Sequence, residues 1–166
     1  FGRVDILINN AGRGLKSELI GMTAEDWQAV IETNLTSVFL CTREAARRMK
    51  EKHIPGHIIT VCSIAGLFAA PNYSAYCASK HGVAGFLKAA KWELRKHKIK
   101  LSTIYPGRVD TEFFDSYQKP PGKRQMLDAS DIARYLVAIA TRRPCTIAAV
   151  RCKVFAKRIL TLLGVK

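Results

Sequence analysis

His57-Ile58-Ile59-Thr60-Val61-Cys62-Ser63-Ile64-Ala65-Gly66-Leu67-Phe68-Ala69-Ala70-Pro71-Asn72-Tyr73-Ser74-Ala75-Tyr76-Cys77-Ala78-Ser79-Lys80 is the stretch from which the rest of the chain is read. Its first six residues are an apolar run of strand length, which predicts a buried strand. Ser63 to Asn72 are small and loop-forming. A helix is expected from about Ser74, and it carries Tyr76 and Lys80 four residues apart, one turn along a shared face. A free phenol titrates near pH ~10, and a neighbouring cation favours the phenolate. Such a pair is a way to build a proton donor and acceptor. It is also what any helix shows when a Tyr packs and a Lys is solvated. Of the five tyrosines, only Tyr76 has a Lys four residues on, so the pair alone decides little.

Working outward, three further segments stand in a fixed order around it. Asn9-Asn10-Ala11-Gly12 follows a short apolar strand, Val4 to Ile8. Glu32-Thr33-Asn34-Leu35 lies inside a long helical pattern that Thr23 opens as N-cap, with Asp26 at the third helical position. In that helix, expected from 24 to about 52, Trp27, Val30, Ile31, Leu35, Val38 and Phe39 recur at 3–4 spacing and mark a buried face. Tyr105-Pro106-Gly107-Arg108-Val109-Asp110-Thr111 follows a third apolar run, Ile99 to Ile104.

Together these segments resemble the short-chain dehydrogenases/reductases, whose members include 3-oxoacyl-carrier-protein reductases. The resemblance covers about residues 1–140. It implies an α/β fold with a doubly wound parallel sheet, Rossmann-like, and hydride transfer between NAD or NADP and a small carbonyl or secondary-alcohol substrate. Carried over by motif, it makes Tyr76 the general acid/base. Lys80 would lower the Tyr76 pKa and hold the nicotinamide ribose. Ser63 would bond the substrate oxygen alongside Tyr76. Asn34 would bend its helix and hold a water leading to the lysine. Asn10, Val109 and Thr111 would contact the cofactor. The resemblance also implies a homodimer or tetramer formed through helices 24–52 and 74–96.

Composition sets outer limits. A chain of 166 residues with 48% hydrophobic content reads as one globular, soluble domain. No apolar run approaches the ~18–20 residues that would span a bilayer. Five cysteines without a Cys-x-x-Cys argue against a disulfide framework and against a metal site, and suit a reducing, cytoplasmic setting. The net charge is +14, and Ile132 to Lys166 hold eight Lys/Arg and no acid. That surplus reads first as solvated surface and second as contact with a phosphate-bearing ligand. No nucleic-acid motif accompanies it. Residues 112–126 break periodicity and place Phe113, Phe114 and Tyr117 beside Lys119, Lys123 and Arg124. The resemblance makes them a substrate lid, suited to an apolar substrate with an anionic handle; an ordinary flexible loop fits them equally well. Asp128 to Asp131 are expected to cap a helix reaching about Thr141, and 146–154 to form a last strand. The basic tail, 153–166, contains an amphipathic pattern open to two readings: packing on a protein surface, or membrane-surface contact.

One expected feature is missing. The fold places a cofactor pyrophosphate on a Gly-rich turn at a helix N-terminus. Gly12 and Gly14 have the spacing of its first two glycines, but Ser17 stands in the third place. The first recognisable strand therefore reads as the family's fourth. At about 30 residues per unit, three βα units of roughly 70–90 residues would precede it. The residue that sorts NAD from NADP would go with them. The alternative function is accordingly a non-catalytic fragment or association module that binds no cofactor.

Overall fold

The computed structural model describes residues 2–114 and 126–141. Three strands, β1 (Ile6–Asn9), β2 (His57–Val61) and β3 (Lys100–Ile104), form a parallel sheet in the order β1-β2-β3. They run level: Ile6 sits opposite His57, which sits opposite Lys100, and Asn9, Thr60 and Thr103 line up at the other end. All three therefore end together, and the loops that follow them share one rim. β2 is buried along most of its length, as its unbroken Ile-Ile-Thr run predicts for a central parallel strand. Among the described residues β1 pairs only with β2, and Ile6 and Ile8 stand partly exposed along it.

Helices α1 (Ala24–Ile31) and α2 (Ser37–Glu51) connect β1 to β2, and α3 (Ser74–Arg95) connects β2 to β3. Thr23 caps α1 by accepting a hydrogen bond from the Asp26 amide at 3.1 Å. The sequence predicts one helix over 24–52, with a bend at Asn34 implied by the resemblance. The structure interrupts it with a π turn at Glu32–Thr36, centred on the fully buried Asn34. The apolar faces of α2 (Val38, Ala45, Met49) and α3 (Val83, Leu87) close a common core over Ile58 and Leu101. Gly56 starts β2 against Met49. A Cβ at that glycine would lie 2.3 Å from the Met49 sulfur, so the turn admits no larger residue without displacing the core.

After β3 the chain forms β4 (Val109–Asp110), a single 3₁₀ turn at Glu112–Phe114, β5 (Leu127–Asp128) and α4 (Ala129–Thr141). β4 and β5 pair in parallel, a contact the aperiodic 112–126 stretch did not foretell. Asp128 caps α4 as its sequence predicts, accepting from the Ser130 amide at 2.7 Å. The expected strand at 146–154, the tail 153–166 and most of the lid stretch lie outside the described residues. Among the described residues no helix is long and apolar enough to cross a membrane.

Candidate active site

The level ends of the three strands place their loops side by side. The Cys62 amide donates to the Ile104 carbonyl at 2.9 Å, and the Ile64 amide to the Pro106 carbonyl at 3.0 Å, so the loops after β2 and β3 are joined. Ser63 is extended, with φ −172°, and its hydroxyl accepts from the Ala65 amide at 3.1 Å, turning the chain into a short 3₁₀ segment at Ile64–Gly66. α3 then starts at Ser74 and brings Tyr76 and Lys80 back over the same rim. The result is a cavity of about 1120 Å³ lined by Asn10, Gly12, Ser63, Tyr76, Lys80 and the segment from Pro106 to Thr111. Val109 and Thr111 both line it. Of the residues that the motifs single out, only Asn34 is set back from this wall.

Asn34 instead ties the wall together. Its Oδ1 accepts from the Arg13 amide at 2.8 Å. Its Nδ2 donates to the Arg13 carbonyl at 3.0 Å and to the Ser79 hydroxyl at 3.0 Å. One side chain thus joins the turn after β1 to α3, between Tyr76 and Lys80 in sequence. A side chain centred on the helix and aimed at both partners suits the wider π turn, in which such irregularities collect near functional sites. The Asn34 Oδ1 and the Lys80 Nζ each lie 3.4 Å from where a Cβ on Gly12 would stand, so all three groups meet at one point.

The electrostatics differ from the expected pair. Burial pushes the Tyr76 phenol up to about 12. The Ser63 hydroxyl pulls it the other way, and the nearby thiols of Cys62 and Cys77 add to the rise. Lys80 was expected to lower it. Its Nζ stands 5.6 Å from the centre of the Tyr76 ring, over its face, and the net shift is still upward. Desolvation then outweighs the distant charge. Lys80 is itself 5% exposed, and burial lowers its pKa. No carboxylate among the described residues forms an ion pair with it. A buried ammonium without a counter-ion is costly, and this one opens onto the cavity.

Sequence reasoning gave no role to Asn9 or Ser79 and placed Phe113 only within a lid stretch. Asn9 is structural: it is 9% exposed and its Nδ2 donates to Thr42 at 3.1 Å and Thr60 at 3.2 Å, locking β1 to β2 and α2. Its place in the alternation, two residues after the inward Leu7, was the available signal. Ser79 is fully buried and passes the Asn34 bond on to the Tyr76 carbonyl at 2.7 Å. Phe113 lies against Tyr76, ring centres 5.7 Å apart. Among the described residues no cluster of three metal-ligating side chains occurs.

A strand-end cavity with this set of groups defines a class, and comparison with known proteins agrees. The sequence profile described as "short chain dehydrogenase" matches residues 1–121. The chain belongs to the short-chain dehydrogenase family. It is similar to the 3-oxoacyl-[acyl-carrier-protein] reductase of Synechocystis sp., with 38% identity over 135 residues, covering 81% of this chain and 53% of that protein. Among solved structures, it is similar to the acetoin dehydrogenase from Enterobacter cloacae, at TM-score 0.75 and 29% identity, covering 86% of this chain and 58% of that one. It is also similar to ElxO with NADP bound, at TM-score 0.77 and 28% identity, covering 89% and 64%. The fold is the α/β, Rossmann-like one of these proteins. The chain spans about half the length of the curated relatives it matches.

Proposed function

We propose that this chain carries the catalytic half of an oxidoreductase that interconverts a carbonyl compound and a secondary alcohol with NAD or NADP. The observation that supports it best is the convergence of Ser63, Tyr76, Lys80 and the Asn34-pinned turn on one cavity at the strand ends. The nicotinamide end of such a cofactor fits the residues present. Lys80 offers a buried ammonium with no ion-pair partner among the described residues, Gly12 leaves its approach open, and Asn10, Val109 and Thr111 line the same wall. No Gly-rich turn for the pyrophosphate occurs in the sequence.

When bound, the nicotinamide supplies or takes up the hydride at the substrate carbon. The chain's own residues handle the proton. With its pKa at about 12, Tyr76 is protonated at neutral pH and is a ready donor to a carbonyl oxygen. As that proton leaves, the Lys80 charge over the ring stabilises the phenolate that remains. The Ser63 hydroxyl donates to the same oxygen, where negative charge develops. Asn34 and Ser79 hold α3 against the turn after β1, so that Tyr76 and Lys80 keep their places. In the opposite direction the phenolate takes the proton of the alcohol.

Tyr76→Phe tests this: turnover is expected to fall by about 10²–10⁴-fold while cofactor affinity holds within a few-fold. Turnover equal to wild type would dismiss the assignment. The second reading is an association module without cofactor binding. Titration with NADH and NADPH separates the two, because only the enzyme binds either. Association itself is part of the proposal: helices 24–52 and 74–96 would pair subunits as a homodimer or tetramer, with the partly exposed Phe39 and Leu40 covered in the contact. The proposed setting is cytoplasmic, consistent with the free thiols of Cys41, Cys62 and Cys77.

A further inference from the structure

The groups that handle the proton say nothing about what else a substrate carries, and the residues next to them do. Phe113 is half-buried and lines the cavity beside Tyr76, its ring tilted 58° to the phenol at a centre-to-centre distance of 5.7 Å. This is the spacing of a favourable aromatic pair. The ring is positioned by its own backbone: the Phe113 amide donates to the Thr111 hydroxyl at 3.4 Å within the 3₁₀ turn Glu112–Phe114. The residues directly after Ser63, Ile64 and Ala65, line the same space, and Leu136 of α4 adds a further apolar wall. The acids of this segment, Asp110 and Glu112, also line the cavity, on its solvent-exposed side.

We infer that Phe113 selects the substrate: its ring is the wall against which a flat or branched apolar substituent of a neutral ketone lies while the ketone oxygen meets Tyr76 and Ser63. The inference rests on the oxidoreductase reading and narrows it to a substrate class. A carbonyl held between Ser63 and Tyr76 has its carbon substituents within reach of the ring that abuts the phenol. An apolar substituent there leaves water and gains contact. A polyhydroxylated one loses its water against carbon surfaces, and hydroxyls without partners are strongly penalised. Sugar-like substrates are thereby disfavoured and aryl or branched-alkyl ketones favoured.

A matched pair of diketones reads this out. 2,3-Butanedione and 1-phenyl-1,2-propanedione differ by phenyl in place of methyl. Their reduction is followed with NADH and NADPH for the full protein as its cell makes it, and for Phe113→Ala and Phe113→Leu. The native enzyme is expected to prefer the phenyl compound by about tenfold or more in kcat/KM, the scale an apolar pocket supplies. Phe113→Ala should lose most of that preference, chiefly through a raised KM on the phenyl compound. Phe113→Leu, which keeps an apolar wall and guards against misfolding of the smaller variant, should recover much of it. An equal phenyl preference in the native enzyme and Phe113→Ala overturns the wall while leaving the enzyme standing. A native enzyme that prefers butanedione also overturns it. No turnover of either diketone by a protein that binds NADH or NADPH overturns this inference, whereas no binding of either cofactor removes the oxidoreductase reading as well.

Discussion

Three glycines around the site differ in what a methyl group would meet, and alanine at each makes a graded test of the packing. Gly66 is the sharpest. A Cβ there would stand 2.8 Å from the Lys80 carbonyl oxygen, 2.9 Å from the Cys62 sulfur and 3.2 Å from the Lys80 carbonyl carbon. Favourable contacts between such atoms lie at about 3.5–4.0 Å. Two of the three clashes are with helix backbone, which cannot swing aside as a side chain can. The loop carrying Ser63 must therefore retreat from α3 by roughly half an ångström or more. Overpacking of this kind costs about 1–3 kcal/mol. Gly82 would meet Leu35 Cδ2 at 2.8 Å, but that methyl is the far end of a flexible side chain. Its rotation offsets the gain in helix propensity, and the net change should be near zero. Gly85 would meet nothing within 4 Å. In mid-helix its replacement by alanine stabilises by about 0.8–1 kcal/mol. Urea unfolding of the three variants at constant m should rank them Gly85→Ala above wild type, Gly82→Ala level with it, and Gly66→Ala below by about 1–3 kcal/mol. A Gly66→Ala variant as stable as wild type would show that the loop and α3 are not in contact as described, and the placement of Ser63 against Tyr76 would fall with it.

Asn34→Ala removes three hydrogen bonds and leaves the Arg13 amide and carbonyl without their partner; a loss of about 2 kcal/mol is expected, together with faster hydrogen exchange at the Arg13 amide, and an unchanged exchange rate would contradict the pin. His57 gives a pH prediction. It is 9% exposed, bonds Ser102 at 2.8 Å, and burial, helped by the Lys100 charge, pulls its pKa from 6.5 to about 4. Below pH 6.5 the unfolded chain takes up a proton that the folded one refuses, so stability complete above that pH declines as pH falls toward 4. At ~1.4 kcal/mol per unit the loss is at most about 3 kcal/mol. Urea midpoints between pH 4 and 7 should slope accordingly, and His57→Gln should flatten them; an equal slope in that variant assigns the effect elsewhere.

The strands and helices were legible because their signals are local and repeated. Ile58-Ile59 between turn residues is a buried strand in almost any context, and the 3–4 spacing from Trp27 to Phe39 is a helix, although of its expected buried face only Val30 and Val38 are buried while Trp27 and Phe39 stand exposed. Gly12, Ser63 and the segment from Pro106 to Thr111 were legible at the cavity too, since each follows a strand whose end the sequence marks. What escaped is relational. Nothing in Glu32-Thr33-Asn34 announces a π turn, because the turn answers to partners at Arg13 and Ser79, 21 and 45 residues away. The pairing of Val109 with Leu127 joins two-residue strands too short to carry a pattern. The direction of the Tyr76 pKa depended chiefly on burial. Four-residue spacing puts two side chains on one face, but cannot say how deeply the fold buries them.

The π turn also bears on how the length of this chain can change. A π turn amounts to one extra residue in an otherwise continuous helix. Delete one residue between Glu32 and Thr36 and regular winding resumes with α1 and α2 still in phase, so Val30, Val38 and Met49 keep their places in the core. What is lost is the wide turn that aims Asn34 at Arg13 and Ser79. A second deletion would turn one flank by about 100° and take either Val30 or Met49 out of the core, so the length of this helix is as much a part of the site as any side chain.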